Sequence, residues 1–408
     1  MPRLIIPNTP FDLFYRLSTP SKRDKASEID KKYETILLFH PFWVDSFYFY
    51  PQFDDPALYE NYNLLAFDAP AHGSTKVKGI SPDPVTWAFF AGIVKEALTM
   101  LDITSVHLVG STMGSCPAMH FASRYPEMSR TLVMIGPPAP AEATNWSLTF
   151  RESMHILINA VKAKDPEPLD AITSVIFDYN ATSHCKRLMK DLEEEYIQLT
   201  RSRLLSGELN SDITVPVIIS IALSRKQLLT LEEAVNLRPP VLIIQGSHEG
   251  WEEHDDQWKV MLEETHLAYA ERNQGRICDS RIKVLAHLPR WMSLTSPDIV
   301  NPVIKQFISQ PRPVNPDHDT SPIPDEGHVG GDGRARRRSS IKKPLSPRDT
   351  LEFGVQPQPP QGIVPKGKSI GEVLDARHGN DDGDPIQDEQ RRRSEGVNVQ
   401  VEVVMKVD

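Results

Sequence analysis

The segment Leu108–Glu127, LVGSTMGSCPAMHFASRYPE, most tightly constrains what this chain can fold into. An apolar run enters a turn in which Gly110 and Gly114 bracket three residues, and a helical pattern follows. Glycine at both places lets a strand and the next helix approach closely around a strained central residue. Pro117 falls in the first helical turn, where main-chain N–H groups lack internal acceptors.

Five further runs resemble the strand in this unit: Thr35–Phe39, Asn63–Phe67, Thr131–Ile135, Val241–Ile244 and, less cleanly, Ile282–Leu285. The elbow strand itself reads as Ser105–Val109. Short, mostly apolar runs suit strands covered on both faces, as in a parallel sheet. Between them lie helices. Pro84–Leu101 sets Trp87, Phe90, Val94, Ala97 and Leu101 on one face, with Pro82 and Pro84 at its start, and Pro297–Phe307 is another. The expected class is α/β: a doubly wound, mostly parallel sheet with right-handed crossovers, from about residue 35 to 307.

Residues 140–238 interrupt the rhythm and read as helices, among them Leu148–Val161 and Lys186–Thr200, with Ile213–Leu229 apolar but punctuated. The insertion is expected to form a helical cap over the carboxyl edge of the sheet, or a buried helical layer with no gating role. The expected layout is a core of 1–139 and 239–310, a cap of 140–238 and a tail of 311–408.

With these residues in view, the chain resembles the α/β-hydrolase superfamily, of the lipase, esterase and epoxide-hydrolase kind. Its nucleophile elbow has the form G-x-S-x-G. Gly110 and Gly114 match the glycines, but the central place holds Thr112, and Ser111 lies one residue early. The elbow residue usually has positive φ, a poor setting for a β-branched side chain. Ser111 is expected to point away from the site. LLFHPFWVDS, Leu37–Ser46, resembles the strand and loop that supply half of the oxyanion hole, with Pro41 where the family has glycine. The resemblance implies Phe42 or Trp43 N–H as one donor and Met113 N–H as the other. LLAFDAPAHGST, Leu64–Thr75, resembles a structural Asp-x-x-Gly-x-Gly-x-Ser stretch, and His40 reads as a loop-ordering histidine.

The family's acid would follow a late strand, where PPVLIIQGSHEGWEEHDDQW offers Glu249; the same acidic loop also reads as a solvated face. The family's histidine would stand in VLAHLPRWMSLTSPDIV. The register of its far end puts Arg290 at that place, with His287 three residues earlier. An arginine takes no proton at neutral pH and would anchor an anion instead.

The resemblance leaves three functions open. The first is hydrolysis of a carboxylic ester or amide, with catalytic residues Thr112, Glu249 and His287, an oxyanion hole at Phe42 and Met113, and no cofactor or metal. The second is a catalytically inactive member that binds a small ligand, with Arg290 as anion anchor. The third is an interaction protein acting through its tail.

Composition bears on partners and place. A formal charge of −10 over 408 residues argues against nucleic-acid or anionic-membrane binding by the whole chain. No apolar stretch approaches the roughly 20 residues of a membrane-spanning helix, and the N-terminus has no signal-peptide pattern. Cys116, Cys185 and Cys278 have no metal-ligand spacing. A cytoplasmic protein is expected.

After about Gln310 the chain becomes rich in Pro, Gly, Asp and Arg, and residues 311–395 are expected to be disordered. There RARRRSSIKKPLSPR offers Ser339, Ser340 and Ser346 to a kinase, and the basic run 334–343 could direct nuclear import. Val397, Val399, Val401 and Val403 alternate with polar residues, a strand pattern that could add to a sheet edge.

Overall fold

The computed structural model describes residues 2–310 and 401–403, apart from 24–25, 82, 142–143, 182–185, 207–209, 225–228, 235, 248–256 and 265–279. The sites proposed at Ser339, Ser340 and Ser346, and most of the tail, lie outside the described residues.

The strands are β1 (Arg3–Ile5), β2 (Phe11–Ser18), β3 (Thr35–Phe39), β4 (Asn63–Phe67), β5 (Lys76–Val77), β6 (Val106–Ser111), β7 (Ser129–Ile135), β8 (Val241–Ser247), β9 (Ser280–Ala286) and β10 (Val401–Val403). They form one sheet in the order β1-β2-β4-β3-β6-β7-β8-β9-β10, with β5 beside β2. The run from β4 through β9 is parallel. β1, β2 and β10 are antiparallel to their neighbours. β3, β4 and β6 are buried at every residue, which is why they read as continuous apolar runs without alternation.

Helices cover both faces. The main core helices are α3 (Trp87–Met100), α4 (Ser115–Arg124) and α12 (Pro297–Ile308), with short helices α1 (Tyr50–Phe53), α2 (Pro56–Tyr59), α10 (257–264) and α11 (Met292–Thr295) beside them. α3 begins at Trp87 because Thr86 is extended and its side chain accepts from Phe89 N–H; Pro84 lies in the approach. Between β7 and β8 come α5 (Thr144–Ala163), α6 (Pro166–Asn180), α7 (Lys186–Leu205), α8 (Ser211–Leu223) and α9 (Leu231–Ala234). Asp165 caps α6 and Asn210 caps α8, each accepting from the N–H two residues on. Two apolar clusters sandwich the sheet. One joins Leu37, Phe90, Met119 and Ile243 to Met154, Leu157 and Ile218 of the helices between β7 and β8. The other joins Val109, Ile244 and Trp291 to Phe177 and Tyr196.

The edge strand β9 receives Val401–Val403, with Val401 opposite Val284 and Glu402 opposite Lys283. Here the tail adds to the chain's own sheet. No described helix is long and apolar enough to cross a membrane.

Candidate functional site

Strand β6 ends at Ser111, residues Thr112–Gly114 form one tight turn, and α4 starts at Ser115. Thr112 has φ +44°, the left-handed region that a β-branched residue occupies only when its surroundings force it. The forcing is visible at the glycines. A Cβ on Gly114 would stand 2.1 Å from the Phe39 carbonyl oxygen, and one on Gly110 would stand 2.6 Å from the Gly114 oxygen. Strand β3, the turn and the head of α4 are thus in direct main-chain contact, and the turn carries Thr112 at the carboxyl end of the sheet.

Thr112 is buried, and its hydroxyl has no hydrogen-bond partner among the described residues. Ser111 faces elsewhere. Its Oγ meets the Tyr48 hydroxyl at 2.9 Å and Ser293 Oγ at 3.1 Å, and Tyr48 meets Ser293 at 2.8 Å. All three are buried, and burial raises the Tyr48 phenol well above its ordinary value, so it stays protonated. Ser111 therefore serves a closed three-hydroxyl ring and is not presented as a nucleophile. Gln52 continues the network, donating to the Ser293 carbonyl and to Asn301.

The loop expected to supply oxyanion donors follows β3. His40 Nε2 accepts from Ala69 N–H, so its Nδ1 carries the proton and donates to the Pro41 carbonyl at 2.7 Å. Burial lowers the His40 pKa, and burial, followed by the nearby His40, holds His72 at about 3. Both rings are neutral spacers that order the loop; the His72 ring packs 5.2 Å from Phe42. Trp43 has φ +78°, and neither its main-chain N–H nor that of Phe42 donates to a described residue. These two N–H groups, with that of Met113, are those expected as oxyanion donors. Asp68 pins the loop from below, accepting from Ser46 N–H at 2.8 Å and Ser74 N–H at 2.6 Å. Burial and then the Asp45 charge push its carboxyl up to about 7.

The loop after β9 decides what stands near the hydroxyl. His287 lies at the end of the β8–β9 ladder, its N–H donating to the Ser247 carbonyl at 3.2 Å and to Ser247 Oγ at 3.1 Å. Its side chain is exposed and reaches no hydrogen-bond partner among the described residues. The chain then runs back across the sheet. The Leu288 carbonyl oxygen sits where a Cβ on Gly246 would be, 2.0 Å away, at the end of β8. The Arg290 main chain lies over Gly136, past the end of β7, where a Cβ would meet the Arg290 oxygen at 2.8 Å. Ser293 arrives at Ser111, the last residue of β6. His287 therefore starts three strand spacings, about 14 Å, from the elbow strand, while Arg290 stands over the neighbouring strand. Arg290 is buried, with its guanidinium 4.6 Å from the centre of the Tyr179 ring on α6. Glu249 lies outside the described residues.

Sequence reasoning did not find Tyr48, Asp45, Tyr196 and Arg203. Tyr196 on α7 donates to Asp45 Oδ1 at 2.8 Å and accepts Asp45 N–H at 3.3 Å. Arg203, two turns on, donates to the Ala71 carbonyl at 2.7 Å. Their partners are distant in sequence and carry no local pattern. No group of metal-binding side chains occurs among the described residues.

The parallel sheet flanked by helices agrees with what the comparisons find. Residues 35–260 match the family model described as the alpha/beta hydrolase fold. The chain belongs to the alpha/beta hydrolase fold family. Among curated proteins, a 2-hydroxy-6-oxononadienedioate/2-hydroxy-6-oxononatrienedioate hydrolase of Comamonas testosteroni is 34% identical over 82 residues, 20% of this chain and 28% of that protein. A 2-hydroxy-6-oxo-6-phenylhexa-2,4-dienoate hydrolase of Burkholderia cepacia is 33% identical over 82 residues, again 20% of this chain and 28% of the relative. Each of those two alignments thus spans little more than a quarter of the relative. Among solved structures, an alpha/beta hydrolase from a Medee basin deep-sea metagenome superposes with a TM-score of 0.56 at 15% identity, over 74% of this chain and 96% of that one. The enol-lactonase of Burkholderia xenovorans superposes with a TM-score of 0.55 at 17% identity, over 76% and 100%. At such identities the structures share the fold.

Proposed function

We propose that this chain uses the hydrolase scaffold to hold a small carbonyl compound of the carboxylic ester class at the Thr112 elbow, without an efficient general base to turn it over. The observation that supports the reading is the path of the loop after β9: His287 starts at the end of β9, three strands from the elbow strand, while the Arg290 main chain lies over Gly136 at the end of the neighbouring β7. A guanidinium keeps its proton at neutral pH. It can pair with a ligand carboxylate, but it cannot accept the proton of Thr112. A threonine hydroxyl with no base beside it is a weak nucleophile, and losing one triad member costs several orders of magnitude in rate. The carbonyl class is supported by the oxyanion donors at Phe42, Trp43 and Met113. It is supported also by relatives named as hydrolases of oxo-dienoates and a fold neighbour named as an enol-lactonase.

A second reading is a working ester or amide hydrolase, favoured by one observation: Thr112 keeps a hydroxyl, free of hydrogen bonds to described residues, at a positive-φ elbow. Thr112 Oγ1 would bond to the acyl carbon as its proton passes to His287, oriented by Glu249. That proton would go to the departing alcohol, and water would release the acyl group. A short-chain aryl ester separates the two. The first reading expects no turnover by the natural sequence above buffer and turnover gained in the Thr112→Ser, Arg290→His double variant. Turnover by the natural sequence that is lost in both Thr112→Ala and His287→Gln establishes the second.

A further inference from the structure

The residues that hold the cap also hold the oxyanion loop. Trp43 Nε1 donates to Thr173 Oγ1 of α6 at 3.0 Å, in a buried contact. The Thr173 hydroxyl uses its own proton on the Leu169 carbonyl at 3.1 Å, so it is a fixed acceptor within α6. Two residues along the loop, Asp45 is gripped twice by Tyr196 of α7, once through its carboxylate and once through its N–H. That carboxylate also caps the turn at Ser46–Phe49 by accepting Phe47 N–H at 2.9 Å. The stretch Trp43–Asp45 thus hangs from two helices of the cap, while His40 and Asp68 tie its ends to the sheet. Trp43 holds its φ of +78°, unfavourable for an L-residue, between these attachments.

We propose that Thr173 and Tyr196 are positioning residues that set the oxyanion loop, so that the cap and the Phe42–Asp45 main chain keep one geometry together. When the cap is seated, the loop presents the Phe42 and Trp43 N–H groups toward the elbow. When the cap lifts, Trp43 and Asp45 lose their outer acceptor and grip, and the N–H groups lose their aim. Ligand seating beneath the cap and polarisation of a carbonyl at the elbow are then linked. The claim about the loop stands on the hydrogen bonds alone. Its consequence for ligand rests on the carbonyl-binding reading.

The test is hydrogen exchange on the full chain, comparing the natural sequence with Thr173→Val, Tyr196→Phe and their double variant. Each removes a hydroxyl and keeps the volume, and Ser153→Ala in α5 is the control. The amides of residues 43–47 are expected to exchange about ten-fold faster in the double variant, with the β3 amides and the control unchanged. Acceleration confined to α6 and α7, with the loop unaltered, overturns the proposal. Binding of phenyl acetate, an ester that the first reading expects to be held without turnover, is then measured on the same proteins. A fall in affinity that tracks the exchange supports the linkage, and an affinity indifferent to loop exchange refutes it. If the natural sequence binds no ester, the carbonyl reading fails, and the exchange result still decides the positioning claim.

Discussion

Replacing Gly114 by alanine tests the close approach that shapes the elbow. Gly114 has φ −64° and ψ −17°, values any residue adopts, so main-chain conformation gives no reason for a glycine. On helix propensity alone, alanine at the head of α4 would gain up to about 1 kcal/mol. Space gives the opposite sign. The added Cβ would stand 2.1 Å from the Phe39 carbonyl oxygen and 2.6 Å from that of His40, both main-chain atoms of the strand end that starts the oxyanion loop. Such overpacking costs typically about 1–3 kcal/mol, and more where main chain must move. The net expectation is a loss of about 2 kcal/mol. Gly79→Ala is the matched control, because its Cβ would meet nothing nearer than Pro10 Cβ at 3.8 Å; it should stay within about 0.5 kcal/mol of the natural sequence. Urea denaturation followed by tryptophan fluorescence reads both variants. A Gly114→Ala protein as stable as the control would mean that β3 and α4 do not touch as described.

Other consequences are as direct. Tyr48→Phe removes the hydroxyl shared by Ser111 and Ser293 but leaves those two bonded to each other; a loss of about 1–2 kcal/mol is expected by urea denaturation, and no loss would mean the ring is not formed. Stability should also rise with pH through the mildly acidic range. Burial lowers His40 and holds His72 at about 3 and His120 at about 4, so the unfolded chain binds more protons than the folded one up to the ordinary histidine value. Asp68, pushed up to about 7, works the other way and offsets one of the three. The remaining slope is about 3 kcal/mol per pH unit between about pH 4.5 and pH 6, and a flat or falling urea midpoint over that span would contradict it. Deleting residues 397–408 should speed amide exchange in Ser280–Ala286, since Val401–Val403 cover that edge; unchanged exchange would contradict the pairing.

The parallel strands were legible because a strand buried on both faces has no choice but to be apolar. TILLF and NLLAF were read with their observed bounds, and the other runs grew by one to three residues where polar ends such as Ser247 and Ser111 still pair. β2 escaped notice. Its FDLFYRLS mixes Asp12 and Arg16 with aromatics, yet it lies buried because β1, β4 and β5 flank it. The elbow was legible from two glycines. The Tyr48–Ser111–Ser293 ring and the Thr173 and Tyr196 attachments were not. Ser111 and Ser293 are 182 residues apart, and Asp45 and Tyr196 are 151. Hydroxyls that meet only through the fold leave no periodicity or spacing to read. The path of the loop after β9 was likewise hidden, because it depends on the direction in which main chain crosses strand ends, where Gly246 and Gly136 admit it above them.

Intact mass spectrometry after incubation with a fluorophosphonate tests most directly the proposal that no base reaches Thr112. The reagent bonds only to a hydroxyl whose proton a neighbouring group can take. The natural protein should keep its mass, and the Thr112→Ser, Arg290→His double variant should gain one phosphonyl group on the peptide holding residue 112. A phosphonyl adduct on Thr112 of the natural protein would show that a base does reach that hydroxyl, and the account given of Arg290 would be wrong.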